Sequence, residues 1–209
     1  MVNNFDPLVP ASYQEWMEGI NQEFPDRRIL AMMNVTGILE WSQSGESQLQ
    51  KTQNQDRLAW IAGCAEVIPE TELDLTLILN SDADLLENII ITSDAEPPCY
   101  SNPEGTMEIL QQKNGYLKME VRLNPDEGGW IFWSQSWYPG WRYRVDGKMA
   151  GQTYRANYLF QAAYMPPGAT QMEFIYRPAS LIWGSVITGV SLLLSVGLIT
   201  IRGKRKQAN

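Results

Sequence analysis

The uncharged apolar run LIWGSVITGVSLLLSVGLITI, from Leu181 to Ile201, constrains this chain more than any other segment, because Arg202, Lys204, Arg205 and Lys206 follow it at once. At a rise of about 1.5 Å per residue, such a run makes a helix of roughly 30 Å, the thickness of a bilayer's hydrocarbon core. A core helix of a globular domain would not explain the basic cluster at its end. The segment therefore reads as a transmembrane helix over residues 179–201, with 202–209 as a basic tail. Lys and Arg beside a spanning helix favour the cytoplasmic side, so the tail is expected inside and the large N-terminal part outside. Tyr176 and Trp183 fall where aromatic rings favour the interface. Pairs of small residues four apart, Ser185 with Gly189 or Ser191 with Ser195, would let another helix approach.

The start of the chain does not supply the export that this topology needs. MVNNFDPLVPASYQEW carries no Lys or Arg and no apolar run, unlike a secretory signal. The reading is that the chain is the C-terminal part of a larger multi-spanning protein.

Composition narrows the function further. A net charge of −8, despite the basic tail, argues against a nucleic-acid partner and against attraction to anionic lipid. Histidine is absent, which removes the commonest general base, the commonest metal ligand and every imidazole triad. Cys64 and Cys99 have no metal-ligand spacing, so no cofactor or metal is expected. In an oxidising compartment the two thiols could pair, but nothing in their spacing demands a bridge, and two idle thiols are the expectation.

The residues before the anchor suffice for one packed domain. Ser12 to Phe24 reads as an amphipathic helix with a Ser12/Glu15 capping box and Tyr13, Trp16, Met17, Ile20 and Phe24 on one face. RRILAMMN reads as a short helix capped by Asp26, VTGILEW as a strand and SQSGESQLQKTQNQ as an exposed loop. LAWIAGCAEVI reads as a buried strand ended by Pro69, and ENIIITS as another. Between them, Leu73, Leu75, Leu77 and Leu79 alternate as in a strand, yet the segment also permits a short helix.

PPCYSNPEG divides this mixed part, residues 1–98, from a strand-rich part, residues 99–178. In YLKMEVRL, Leu117, Met119, Val121 and Leu123 alternate with charged residues. GGWIFWSQSW, RYRV, QTYRANYLFQAAYM and QMEFIYRP follow, joined by YPGW, an Asp146-Gly147 hairpin signal and PPGA. The expected class is α+β: an antiparallel β-sandwich core, a small helical and mixed N-terminal part, and one C-terminal transmembrane helix.

Aromatic residues crowd the second part, with Trp130, Trp133, Trp137, Tyr138 and Trp141 close together. Strand-forming aromatics with polar tips suit a sandwich core and its rim. The sharper alternative is a carbohydrate platform of Trp137, Tyr138 and Trp141, whose ring faces would stack on sugars. Asp146 reads as a turn residue, and no carboxylate pair or nucleophile with a base is visible.

The run SQSWYPGWRYRVDGK, then YRANYLFQAAYMPPGATQMEFIYRPASL leading into the last helix, resembles the C-terminal end of the YfhO family of bacterial multi-pass membrane proteins. FDPL and RRILAMMNVTGILE resemble the family more loosely. Family members are similar to glycosyltransferases that use lipid-linked sugars, with acidic catalytic residues in loops near their N-termini. The resemblance implies a non-catalytic domain that supports glycosyl transfer to cell-envelope polymers, and it carries no catalytic residue onto this chain. It implies the bacterial cytoplasmic membrane as location, and the bilayer, a multi-pass glycosyltransferase core and envelope glycan as partners. A stand-alone membrane-anchored glycan-binding module is the alternative.

Overall fold

The computed structural model describes residues 11–22, 27–41, 45–51, 58–81, 84–93, 99 and 104–207. The chain begins with α1 (Ala11–Gln22), α2 (Arg27–Met32) and the hairpin β1 (Gly37–Trp41) and β2 (Ser47–Lys51). Then come β3 (Ala59–Ala62), β4 (Cys64–Ile68), a 3-10 turn at Glu70–Glu72, α3 (Leu75–Leu79) and β5 (Asn88–Thr92). The strand-rich part contributes β6 (Gly105–Lys113), β7 (Tyr116–Leu123), β8 (Gly129–Trp133), β9 (Trp141–Val145) and β10 (Lys148–Gln152). It closes with β11 (Tyr154–Ala156), β12 (Phe160–Met165) and β13 (Gln171–Tyr176), after which α4 (Ala179–Gln207) leaves. The class is α+β.

Two sheets share one apolar layer. A five-stranded antiparallel sheet, ordered β10-β9-β13-β7-β6, faces a six-stranded mixed sheet, ordered β3-β8-β12-β11-β5-β4. Between them lie Leu117, Met119 and Val121 of β7, Met172 and Phe174 of β13, Ile131 and Trp133 of β8, and Ala163 and Met165 of β12. The period-two pattern of β7 is thus expressed as burial, since Leu117, Met119 and Val121 are all fully enclosed. On the outer face of this sheet, Glu173 takes Lys118 at 3.3 Å and Arg144 at 3.6 Å, one from each neighbouring strand.

The six-stranded sheet draws from both parts of the chain and is not purely antiparallel. β4 runs parallel to β5, with Cys64 opposite Asn88, while β3 pairs antiparallel with β8. The segment expected as one buried strand therefore breaks at Gly63, whose amide donates to Glu87 at 3.0 Å. Because β3 and β4 are the two edges of the sheet and only Gly63 separates them, the edges converge and the sheet curls.

Its second face holds the larger core. Trp60, Phe132, Phe160, Ile89 and Ile91 meet Trp16 and Ile20 of α1 and Ile29 and Met32 of α2. The apolar face expected for α1 is the buried one, with Trp16 edge-on to Phe160 at 5.3 Å. Phe24 and Asp26 lie outside the described residues. The leucine-rich segment resolves as helix: Asp74 accepts the Thr76 amide at 3.2 Å, a cap that a strand would not use.

Three expectations are corrected and one unassigned segment is placed. SQLQK is not loop but β2, in register with β1 through Leu39 opposite Leu49, an exposed hairpin that hydrophobicity alone did not reveal. GTMEILQQK, given no assignment above, is edge strand β6, almost wholly exposed and so without an apolar period. QTYRANYLFQAAYM is not one strand. The chain reverses at Asn157 and Tyr158, whose φ values of 43° and 70° are left-handed, so that β11 folds back on β12. Finally, Cys64 and Cys99 form a disulfide rather than idle thiols, with Cα atoms 4.5 Å apart. Their spacing of 35 residues along the chain does not encode this proximity.

Among the described residues no helix is long and apolar enough to cross a membrane. The backbone of α4 is helical from Ala179 to Gln207, but the side chains of residues 196 and 198–209, which belong to the expected anchor and tail, lie outside the described ones.

Candidate functional site

The three aromatic residues proposed as a platform do not share one face. Trp141 belongs to the layer between the sheets, 5% exposed, with its ring edge-on to Trp133 at 5.1 Å. That burial leaves only a small part of its ring open. Tyr138, half-buried, packs against the same layer, and burial pushes its hydroxyl above the ordinary tyrosine range, with Tyr176 adding to the effect. Trp137 lines a cleft of about 390 Å³ that neither Tyr138 nor Trp141 reaches.

This cleft lies where the chain passes from β10 to β11, and so from one sheet to the other. Thr153 is the crossing residue. Its amide donates to the Trp141 carbonyl at 3.2 Å, and its own carbonyl accepts the Trp137 indole N–H at 3.1 Å. The Trp137 amide in turn donates to Leu159 at 2.8 Å, so backbone bonds to two segments hold the ring in place. The Thr153 hydroxyl is buried and has no hydrogen-bond partner. An orphaned hydroxyl of this kind costs free energy unless something that binds there completes it.

Two further rings line the cleft. Tyr143 lies on β9, and burial, with a smaller contribution from Tyr154, pushes its hydroxyl up to about 12. It therefore remains a protonated donor at any physiological pH. Tyr154 of β11 stands edge-on to Trp130 at 5.2 Å, a contact that fixes its plane. Arg155 follows on the same strand. Its Nε donates to the Tyr158 carbonyl at 2.5 Å and its guanidinium lies 4.6 Å above the Tyr158 ring. Tyr158 also donates its hydroxyl to Glu15 of α1; burial first, then this bond, raises its pKa.

Glu70 and Gln152 complete the rim with a carboxylate and an amide. The cleft thus combines ring faces with hydroxyl, amide, carboxylate and guanidinium groups. Such a mixture suits a polyhydroxylated ligand that has apolar CH faces and hydrogen-bonding edges. Glu70, Gln152, Thr153 and Arg155 were not singled out from sequence. Glu70, on the turn after β4, shares the cleft with Trp137, far along the chain, and no local motif reports that.

Among the described residues no group of His, Cys, Asp or Glu is placed to hold a metal ion. No family model, no curated protein and no solved structure matches this chain.

Proposed function

We propose that this chain is a membrane-anchored, extracytoplasmic β-sandwich domain that holds a glycan segment in the Trp137 cleft. The role is binding rather than turnover. It supports glycosyl transfer to cell-envelope polymers by a multi-pass partner, as the resemblance to the C-terminal end of YfhO proteins implies. The observation that carries the reading is the cleft itself: Trp137, Tyr143 and Tyr154 beside the unpartnered Thr153 hydroxyl, with Glu70, Gln152 and Arg155 around them. Glycoside cleavage uses two carboxylates, and Glu70 is the one carboxylate among the described lining residues.

Two features support the location. The large apolar side chains described on α4 face outward without a protein partner, with Leu181 68% and Leu193 75% exposed. Water would penalise that surface and hydrocarbon would not. Three helix serines fit the same solvent: Ser185, Ser191 and Ser195 each donate to the carbonyl four residues earlier at 2.8 Å, leaving none of those three hydroxyls bare. The Cys64–Cys99 disulfide suits an oxidising compartment.

The test is a titration of the full chain in detergent with neutral and N-acetylated oligosaccharides, read by tryptophan fluorescence. Saturable quenching is expected, weakened about tenfold or more by Trp137→Ala, as removal of a stacking ring costs on the order of 1–2 kcal/mol. Absence of saturable quenching with every oligosaccharide, or equal binding by Trp137→Ala, defeats the glycan reading.

A further inference from the structure

A second cleft, of about 470 Å³, is lined by Lys113, Asn114, Gly115, Trp133 and Gln135, with Trp141 beside them. Its chemistry differs from that of the first. With Gln112 also on the wall, the lining offers an ammonium and three side-chain amides, and no carboxylate faces it among its described lining residues. Trp133 is 2% exposed, and its indole N–H, which can only donate, has no acceptor. A buried donor left unmade in the wall of a cleft that also holds a cation marks a place for an anionic acceptor.

The position of the cleft narrows the source of that anion. The Gly115 carbonyl accepts the Tyr176 amide at 2.8 Å, which welds the β6–β7 turn to the last residue of β13. The Gly140 carbonyl accepts the Arg177 amide at 2.8 Å, and the Trp141 ring packs on Tyr176 at 5.1 Å. Cleft and helix exit are therefore one structure: Tyr176 touches the cleft walls at Gly115 and Trp141, Arg177 is bonded to the residue before Trp141, and α4 begins at Ala179. With α4 in the bilayer, this places the cleft in the headgroup layer, whose polar regions are about 5–7 Å thick on each side of the hydrocarbon.

We propose that this cleft seats the phosphate of an anionic phospholipid headgroup, with Lys113 supplying the charge and Trp133, Asn114 and Gln135 the hydrogen bonds. A phosphodiester accepts at every oxygen and donates at none, matching a lining of donors. A zwitterionic headgroup would bring an ammonium that no lining carboxylate meets. The net charge of −8 opposes broad attraction to an anionic surface, so the interaction is a single built site rather than a basic patch. The inference rests on α4 being the anchor.

The experiment places the full chain in nanodiscs of phosphatidylcholine, alone or with a minor fraction of phosphatidylglycerol, and follows the Trp133 indole N–H resonance. Phosphatidylglycerol is expected to move that resonance downfield and phosphatidylcholine is not. Lys113→Gln and Gln135→Ala, both at exposed positions, are expected to weaken the phosphatidylglycerol titration, Lys113→Gln by about tenfold. A shift produced equally by inorganic phosphate in phosphatidylcholine discs would overturn the lipid assignment in favour of a free-anion site. If the chain enters the discs but Trp133 does not respond, or if Lys113→Gln titrates like the parent, the headgroup site fails while the anchor stands. If the chain does not enter the discs, both fail.

Discussion

Replacing Asn157 should damage this fold more than replacing any other polar side chain in the curled sheet. Asn157 is fully buried at the reversal between β11 and β12, with φ of 43°. Its amide donates to the Ile90 carbonyl at 2.8 Å, and its side-chain oxygen accepts the Ile90 amide at 2.8 Å, so one residue mimics a bridge to β5. Its side-chain nitrogen donates to the Leu85 carbonyl at 3.2 Å and approaches the Met32 sulfur at 3.2 Å. Asn157→Ala strands the Ile90 N–H inside the protein, at about 1–3 kcal/mol, and removes the donor to Leu85, at about 1 kcal/mol. Holding alanine in the left-handed region adds about 1 kcal/mol more. The sum is about 3–5 kcal/mol, a large share of a domain's stability. Asn157→Gly loses the same bonds without the backbone strain and should be milder by about 1 kcal/mol. Urea unfolding of the full chain, followed by tryptophan fluorescence with the slope held common, measures both. A midpoint shift equivalent to less than about 1 kcal/mol for Asn157→Ala would refute the reasoning, because an unpaired buried amide cannot be so cheap. A glycine variant worse than alanine would refute the strain component.

Other outcomes follow from the same geometry. Cys64→Ser with Cys99→Ser opens a bridge with a sequence separation of 35, and chain entropy then predicts a loss of about 3–4 kcal/mol; unfolding midpoints unchanged by reductant would count against it. Gly140 has φ of +110°, and a Cβ there would stand 2.8 Å from the Pro178 Cα, so Gly140→Ala must displace the start of α4. New protease cleavage around residues 177–180 is the readout, and an unchanged digestion pattern argues against a rigid exit. Asp146 titrates below the ordinary carboxylate range. Partial burial opposes that shift, but amide bonds from Thr170 and Gln171 and the Thr170 hydroxyl outweigh it. A depressed folded-state pKa contributes stability that is present above the unfolded value, near 4, and lost as pH falls through the folded one. Stability of the parent should therefore decline between about pH 5 and pH 2 more steeply than that of Asp146→Asn; parallel curves would remove Asp146 as a contributor.

Much of the fold was legible because some segments carry their own pattern. The alternation in YLKMEVRL predicts the buried face of β7, and the spacing of Tyr13, Trp16, Met17 and Ile20 predicts the face that α1 turns to the core. Both are one-dimensional records of which side meets water. Asp146-Gly147 behaves in the same way, since both residues take positive φ in the β9–β10 turn. β2 and β6 were not legible, because an exposed strand needs no apolar period.

The candidate clefts were less legible still. Trp137 was visible as an aromatic near a turn, yet nothing local separated it from Trp141, four residues on, which β9 turns inward against Trp133. Glu70, on the 3-10 turn after β4, and Arg155, on β11, line one cleft although they are far apart in sequence, and so are the bridged Cys64 and Cys99. The sequence by itself determined the α+β class, the amphipathic helix, the alternating strands and the apolar run at the end, because each depends on contacts repeated within a few residues. Tertiary structure alone decided the break at Gly63, the reversal at Asn157, the disulfide and which aromatic ring opens to a cleft. Those features depend on pairings between distant strands, and a distance along the chain does not specify a distance in space.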